Sequence, residues 1–134
     1  MSKIVQPAGW PRPRGYSNGV VAEGRLLFIA GQIGWNERNE FASSDLVQQT
    51  AQALRNVVAV IAAAGGNPGD IVRLTWYVTD KRAYDAAATA IGAEYRAIIG
   101  DHYPAMTLVE VASLLQDRAL VEIEATAVLS EGRS

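Results

Sequence analysis

The 134-residue sequence contains no cysteine and a single histidine, His102. Without thiols there is no disulfide framework, no thiolate nucleophile and no cysteine-ligated metal, and one imidazole cannot build a histidine-rich metal site. Long apolar runs are missing as well. The opening segment MSKIVQPAGWPRPRGY carries basic residues but no apolar stretch of about 7 residues to serve as a signal-peptide core, and nothing approaches membrane-spanning length. A cytoplasmic location without a membrane partner is the expectation. Charge of one sign is also lacking: Lys plus Arg number 12 against 14 Asp plus Glu, a net charge of -2. No global field therefore draws nucleic acid, which is not an expected partner. There is no phosphate loop, dinucleotide glycine fingerprint or nucleophile elbow, so neither a cofactor nor a metal is assigned.

What is present suits one globular domain spanning residues 1–134, since 49% hydrophobic residues at this length fill one ordinary core and not two. Pro7, Pro11 and Pro13 with Gly9 and Gly15 predict an irregular, extended arm. Asn18-Gly19 is a turn signal, after which Val20 and Val21 lead through Glu23-Gly24 into Leu26 to Ile33, read as a hairpin feeding a buried strand. From Ser43 the period becomes helical, with Ser44 or Asp45 as cap and Val47, Ala51, Leu54, Val58 and Ile61 as the stripe, until Gly65-Gly66. Asp70 to Thr79 alternates as a strand with Val72, Leu74, Trp76 and Val78 on one face. Tyr84, Ala87, Ala88, Ile91, Tyr95 and Ile98 recur at helical spacing, and Thr107 to Ala112 and Leu120 to Leu129 read as two more strands. The fold class is α+β, a mixed sheet with a parallel crossover, backed by two helices. Two helices cover one face only, and because Leu26 to Ile33 is apolar on both sides, the uncovered face is expected to drive self-association.

Few residues stand out for chemistry. Glu122 and Glu124, two apart in the last strand, share a face opposite Val121, Ile123 and Ala125; spacing alone favours a solvated or structural pair of acids over a catalytic one. Tyr16 after the arm is by itself a packing anchor, Trp35 and Trp76 suit a core, an interface or an aromatic pocket, and a lone loop histidine such as His102 is more often a surface residue than a general base. Lys3, Arg12 and Arg14 fall short of a nucleic-acid tail.

The stretch PAMTLVEVASLLQDRALVEIEATAVL resembles the signature of the Rid (reactive intermediate deaminase, YjgF-like) family, whose usual form begins Pro-Ala-Arg-Ser and ends in an Ile/Val-Glu-Ile-Glu-Ala run. The likeness extends to GYSNGV, to FIAGQIG and to AAAGGNPGDIVRLTWYVTD. It implies a chorismate-mutase-like subunit assembled as a homotrimer, with the helix-free sheet faces meeting in a central barrel. It further implies clefts between subunits that take small reactive imines or enamines without a cofactor. Carried over position by position, the resemblance puts the family glutamate at Glu122, its tyrosine at Tyr16 and its pocket glycine at Gly31. It also shows departures: the family arginine, which binds a substrate carboxylate, is Met106, a nearby cysteine is Leu108, and an asparagine on the second helix is Gly92. A methionine offers no charged fork, and losing one charge-assisted hydrogen bond costs roughly 1.5 to 3 kcal/mol of binding. The expected function is therefore binding or hydrolysis of a small imine, enamine or related carbonyl compound in an intersubunit cleft lined by Tyr16, Gly31, Met106, Leu108 and Trp35, with Glu122 as base or water-positioning group. A standard 2-imino-acid deaminase is not expected. A non-catalytic ligand-binding or regulatory trimer is the alternative, and an endoribonuclease or translation inhibitor is disfavoured by the net charge. Whether Arg14 or His102 stands in for the missing arginine is left open by the residues themselves.

Overall fold

The computed structural model describes residues 2–130. Near the amino terminus Ser2–Val5 (β1) pairs antiparallel with Gly19–Ala22 (β2), and the proline-bearing segment between them is irregular. This corrects the expected hairpin of β2 with the following strand. Gly24 sits at φ +143°, a conformation that side chains rarely adopt, and a Cβ there would overlap the Leu129 carbonyl. The chain thus turns against the end of the last strand, and β2 finds its partner in the arm.

Arg25–Ile33 (β3) is followed by Leu46–Ala63 (α1). Asp45 caps α1, its carboxylate accepting the Gln48 amide at 3.0 Å. The buried face of α1 is Gln49, Thr50, Ala51, Ala53, Leu54, Val57 and Ile61, rotated slightly from the predicted stripe, and Val47 and Val58 lie at its margins. Gln49 is buried because its amide closes three backbone bonds. Nε2 donates to the Ser43 and Arg118 carbonyls at 3.1 and 3.0 Å, and Oε1 accepts the Leu120 amide at 2.9 Å. The side chain thereby ties α1 to the approach of the last strand.

A single turn of 3-10 helix at Pro68–Asp70, capped by Asn67, leads into Ile71–Val78 (β4). Leu74, Trp76 and Val78 enter the core as predicted. Ile71, not Val72, joins them, because an irregularity in pairing between Ile71 and Arg73 shifts the alternation by one residue. The second predicted helix is broken at Ala87 into Lys81–Ala86 (α2) and Ala88–Ile98 (α3). Ala105–Glu110 (β5) and Val121–Leu129 (β6) complete the sheet, in the order β3-β6-β4-β5. β4 and β5 are parallel across the α2-α3 crossover, and β6 runs antiparallel to both its neighbours, so the sheet is mixed.

α1 lies on β3 and β6 and α3 packs on α1, so the helices occupy one side of the sheet. Between them lies the core: Leu54, Val57, Ile61, Leu74, Val78 and Ile123 are fully buried. The other side is open. Its apolar part is confined to the edges, where Leu26 and Phe28 of β3 are 62% and 73% exposed and Val109 of β5 is exposed too. The two central strands present Arg73, Thr75 and Tyr77 against Thr126, Glu124 and Glu122, so the expected apolar face is apolar at its margin and polar at its middle.

Candidate functional site

Two groups of residues emerge, one on each side of the sheet. On the helix side a cavity of about 680 Å³ is bounded by Arg14 to Tyr16 of the arm, by Tyr84 and the Ala88, Ile91, Gly92, Tyr95 and Arg96 side of α3, and by Trp76, Tyr103, Met106 and Leu108. The arm reaches it because Ser17 is stitched to the loop before β5: its amide donates to the Pro104 carbonyl at 3.0 Å and its hydroxyl to the Tyr103 carbonyl. That fastening places Tyr16 next to β5. Met106 and Leu108 face the cavity because they pair with the core residues Leu74 and Trp76 of β4 and so share their side of the pleat.

The walls are aromatic and rigid. Tyr95 stacks on Tyr103 with ring centroids 5.5 Å apart and packs at 6.3 Å against Trp76, which meets Tyr84 edge-on at 6.4 Å. Burial pushes the Tyr95 phenol well above its ordinary range, with a lesser contribution from Tyr103, and burial likewise raises Tyr84. Both remain neutral at physiological pH, and the Tyr95 hydroxyl donates to the His102 carbonyl at 2.6 Å. His102 does not join the cavity lining. Its Nε2 lies 2.7 Å from the Ile71 carbonyl, which can only accept, so this nitrogen carries a proton and the ring serves as a structural tie.

On the open side Glu122 and Glu124 share a face, with Val121, Ile123 and Ala125 buried behind them. Gly31 lies directly against the Glu122 carboxylate, at the point where β3 pairing with β6 is irregular between Ile29 and Gln32. A Cβ at position 31 would overlap the carboxylate, so a larger residue there fits only if the Glu122 side chain moves away. Glu124 accepts a hydrogen bond from the Tyr77 hydroxyl, and that bond is the main cause of the raised Tyr77 pKa, followed by desolvation and the nearby acids.

The structure thus brings together Tyr16, Met106 and Leu108, and separately Gly31 and Glu122, and within one subunit the sheet stands between the two groups. Trp35 belongs to neither; its ring packs at 5.8 Å against Phe41, over which the Arg118 guanidinium sits at 5.3 Å, and its carbonyl accepts from Asn56 at 2.8 Å. Trp76, Tyr84, Tyr95 and Tyr103, none of them among the expected cleft residues, give the cavity its aromatic wall. Their signal was present in the Tyr84, Ala88, Ile91, Tyr95 stripe, which describes a core-facing and a cavity-facing helix equally well. Arg96 was missed, although it follows Gly92 by four residues and therefore lies on the same side of α3. Among the described residues no group of three His, Cys, Asp or Glu is placed to hold a metal, and no helix is long and apolar enough to cross a membrane.

An α+β subunit with a mixed four-stranded sheet, helices on one side and a cavity beside the parallel edge strand is the class the fold defines. Residues 11–129 match the model of the family described as endoribonuclease L-PSP. The chain is 36% identical over 132 residues to the 2-iminobutanoate/2-iminopropanoate deaminase of Escherichia coli, covering 96% of this chain and 98% of that protein. Among solved structures it resembles YyfB of Yersinia pestis, a protein of unknown function in the Rid family, with a TM-score of 0.85 and 37% identity over 96% of this chain and 98% of that one. It also resembles TdcF of Escherichia coli with bound serine, with a TM-score of 0.69 and 34% identity over 96% and 99% of the two chains. The chain belongs to the endoribonuclease L-PSP family, which includes the Rid and RutC proteins.

Proposed function

We propose that the protein binds, and where Glu122 reaches the ligand hydrolyses, a small reactive imine, enamine or related carbonyl compound in a cleft between subunits of a chorismate-mutase-like homotrimer. The observation that carries this reading is the cavity bounded by Tyr16, Met106 and Leu108, an aromatic-walled space within the size range of small-molecule sites. Gly31 and Glu122 lie on the other side of the sheet, so one subunit does not hold both halves of the site. Packing the open faces against one another in a central barrel would cover Leu26 and Phe28 and set an acid from one subunit near the cavity of the next.

In such a cleft the reaction needs no cofactor. Water held by the Glu122 carboxylate adds to the carbon of the C=N bond as the carboxylate takes one of its protons and passes it to the nitrogen. The resulting carbinolamine then moves its hydroxyl proton to the amine by the same carboxylate, and the C–N bond breaks to leave a carbonyl and ammonia. Met106 brings no charge to the β5 wall of the cavity, so a short 2-imino acid that reaches that wall finds no cation there for its carboxylate, and the protein is a weak deaminase on it. The second reading is a trimer that binds a ligand without turning it over, and it is favoured by the uncharged Met106 and Leu108 in the cavity wall. An endoribonuclease role is the weakest, with a net charge of -2 and the one histidine engaged by the Ile71 carbonyl.

The test generates 2-iminobutanoate enzymatically and compares keto-acid release by this protein and by the Escherichia coli deaminase at equal subunit concentration. Slow release that Glu122→Gln abolishes supports hydrolysis, and binding without release supports the second reading. Acceleration equal to that of the deaminase removes the argument from Met106.

A further inference from the structure

We propose that the aromatic cavity takes a ligand with an aromatic or extended apolar body ending in a carboxylate, and that Arg96 of α3 supplies the cation that recognises it. The inference rests on the cavity being a ligand site, and it adds the class of ligand and the residue that selects it.

Inside the cavity β5 contributes only Met106 and Leu108, neither charged. Two cations line it from elsewhere, Arg14 on the arm and Arg96 on α3, and both are exposed, which puts them at the mouth. The Arg96 side chain runs back over Gly92, one turn earlier on α3. A Cβ built on Gly92 would stand 3.5 Å from Arg96 Nη1, so the guanidinium lies back along the helix over the glycine, on the side that faces the cavity. Among the described residues neither the Arg96 nor the Arg14 side chain forms an ion pair or hydrogen bond. A planar guanidinium with all its donors available is suited to a carboxylate, which it grips through two parallel bonds.

The wall points to the body of the ligand. Trp76 lines the cavity and is 4% exposed, and its Nε1 is the buried side-chain polar atom without a hydrogen-bond partner among the described residues. The Trp76 ring adds an apolar aromatic surface to the cavity. The rest of the wall, Tyr84, Tyr95, Tyr103 and Leu108, offers ring faces and apolar surface. At about 680 Å³ the cavity greatly exceeds what a three- or four-carbon acid would fill. Size and wall chemistry therefore call for a large apolar body, and the position of Arg96 places its charged end at the mouth rather than at Met106.

Calorimetric titration of the full-length protein with phenylpropanoate, its neutral analogue phenylpropanamide, and propanoate tests the assignment. Phenylpropanoate is expected to bind about tenfold or more tightly than the amide, the value of one charge-assisted contact, and propanoate is expected to bind more weakly than phenylpropanoate. Arg96→Gln should remove the preference for acid over amide while leaving amide affinity unchanged, which also reports an intact cavity, and Arg96→Lys should keep part of it. Equal affinity for acid and amide in the unaltered protein, or an undiminished acid preference in Arg96→Gln, overturns the role of Arg96. If that preference is lost instead in Arg14→Gln, the cation is assigned to the arm and the proposal fails. Absence of binding by both acid and amide overturns the ligand-site reading itself, an outcome distinct from the other three.

Discussion

The two sides of one sheet do different work. On the helix side, β4 and β6 send Leu74, Trp76, Val78, Val121 and Ile123 into a close-packed interior that opens at one edge into the aromatic cavity. On the open side the same strands, one residue out of phase, present Arg73, Tyr77, Glu122 and Glu124, bordered by the exposed Phe28 and Leu26. Stability is concentrated on the first side and the candidate acid on the second. Strand alternation allows this, because a side chain changed on one face of a pleat leaves the other face in place.

The largest stability effect is expected in the helix-side core. Leu54→Ala, at a fully buried position, should lower unfolding free energy by about 2 to 5 kcal/mol in denaturant titrations. Gln49→Leu should follow, at about 2 to 3 kcal/mol, because it leaves the Leu120 amide and the Ser43 and Arg118 carbonyls without their partner. A loss as small as that of a surface substitution would mean that the loop before β6 is held by something other than this amide.

On the open side the expected consequences are smaller for folding and larger for function. Gly31→Ala should displace the Glu122 carboxylate, costing about 1 to 3 kcal/mol of stability, and if Glu122 acts on the ligand the variant should lose turnover while a ligand held in the aromatic cavity still binds. Equal loss of turnover and binding would show that the two sides are not separable.

Alkaline unfolding distinguishes the sides by pH. Tyr95, Tyr84 and Tyr77 all have phenol pKa values raised by the fold, the first two chiefly by burial and the third chiefly by its hydrogen bond to Glu124. A raised acid pKa means that the neutral form is favoured in the native state. Its contribution is complete below the unfolded tyrosine value of about 10 and declines as pH rises from there through the folded value. Unfolding free energy measured between about pH 8 and 11 should therefore fall at the alkaline end, and Tyr95→Phe should flatten that fall more than Tyr77→Phe.

The smallest effect on the isolated fold is expected at the rim of the open face. Phe28→Ser should change subunit stability by no more than about 0.5 kcal/mol, since the ring is 73% exposed. Light scattering should nevertheless show the unaltered protein at about three times its 14.4 kDa subunit mass and the variant at a lower mass. Retention of the trimer by Phe28→Ser would move the association surface away from β3.

Much of this division was legible in the residues, by routes of different strength. Alternation in IVRLTWYV and in VEIEATAVL placed β4 and β6 and put Glu122 and Glu124 on a common face, and Asp45 with the following stripe located α1. Resemblance to the Rid family carried attention to Gly31, Tyr16, Met106 and Leu108, which no spacing rule would have selected. Other features were hidden for identifiable reasons. A polar Gln49 inside a helix is read as a solvent-facing position until the three backbone groups it satisfies are known, and those belong to segments distant in the chain. The partner of β2 depended on the Gly24 backbone against Leu129, a contact between residues more than a hundred positions apart.

By itself the sequence determined the order of the main strands and helices, the core-facing side of Leu74, Trp76 and Val78, the common face of Glu122 and Glu124, the absence of thiol and histidine-cluster chemistry, and an uncharged side chain at position 106. These follow from local periodicity and from the chemistry of single residue types, which need no knowledge of distant contacts. Tertiary structure alone decided that Tyr16 is stitched beside β5 through Ser17, that His102 is spent on the Ile71 carbonyl, and that the Glu122 carboxylate rests on Gly31. It alone set Arg96 and the unpartnered Trp76 indole on one cavity. Each of these joins atoms from segments that meet only after the sheet has formed, and a hydrogen bond or a close approach exists only at a distance of a few ångströms, which separation along the chain does not encode.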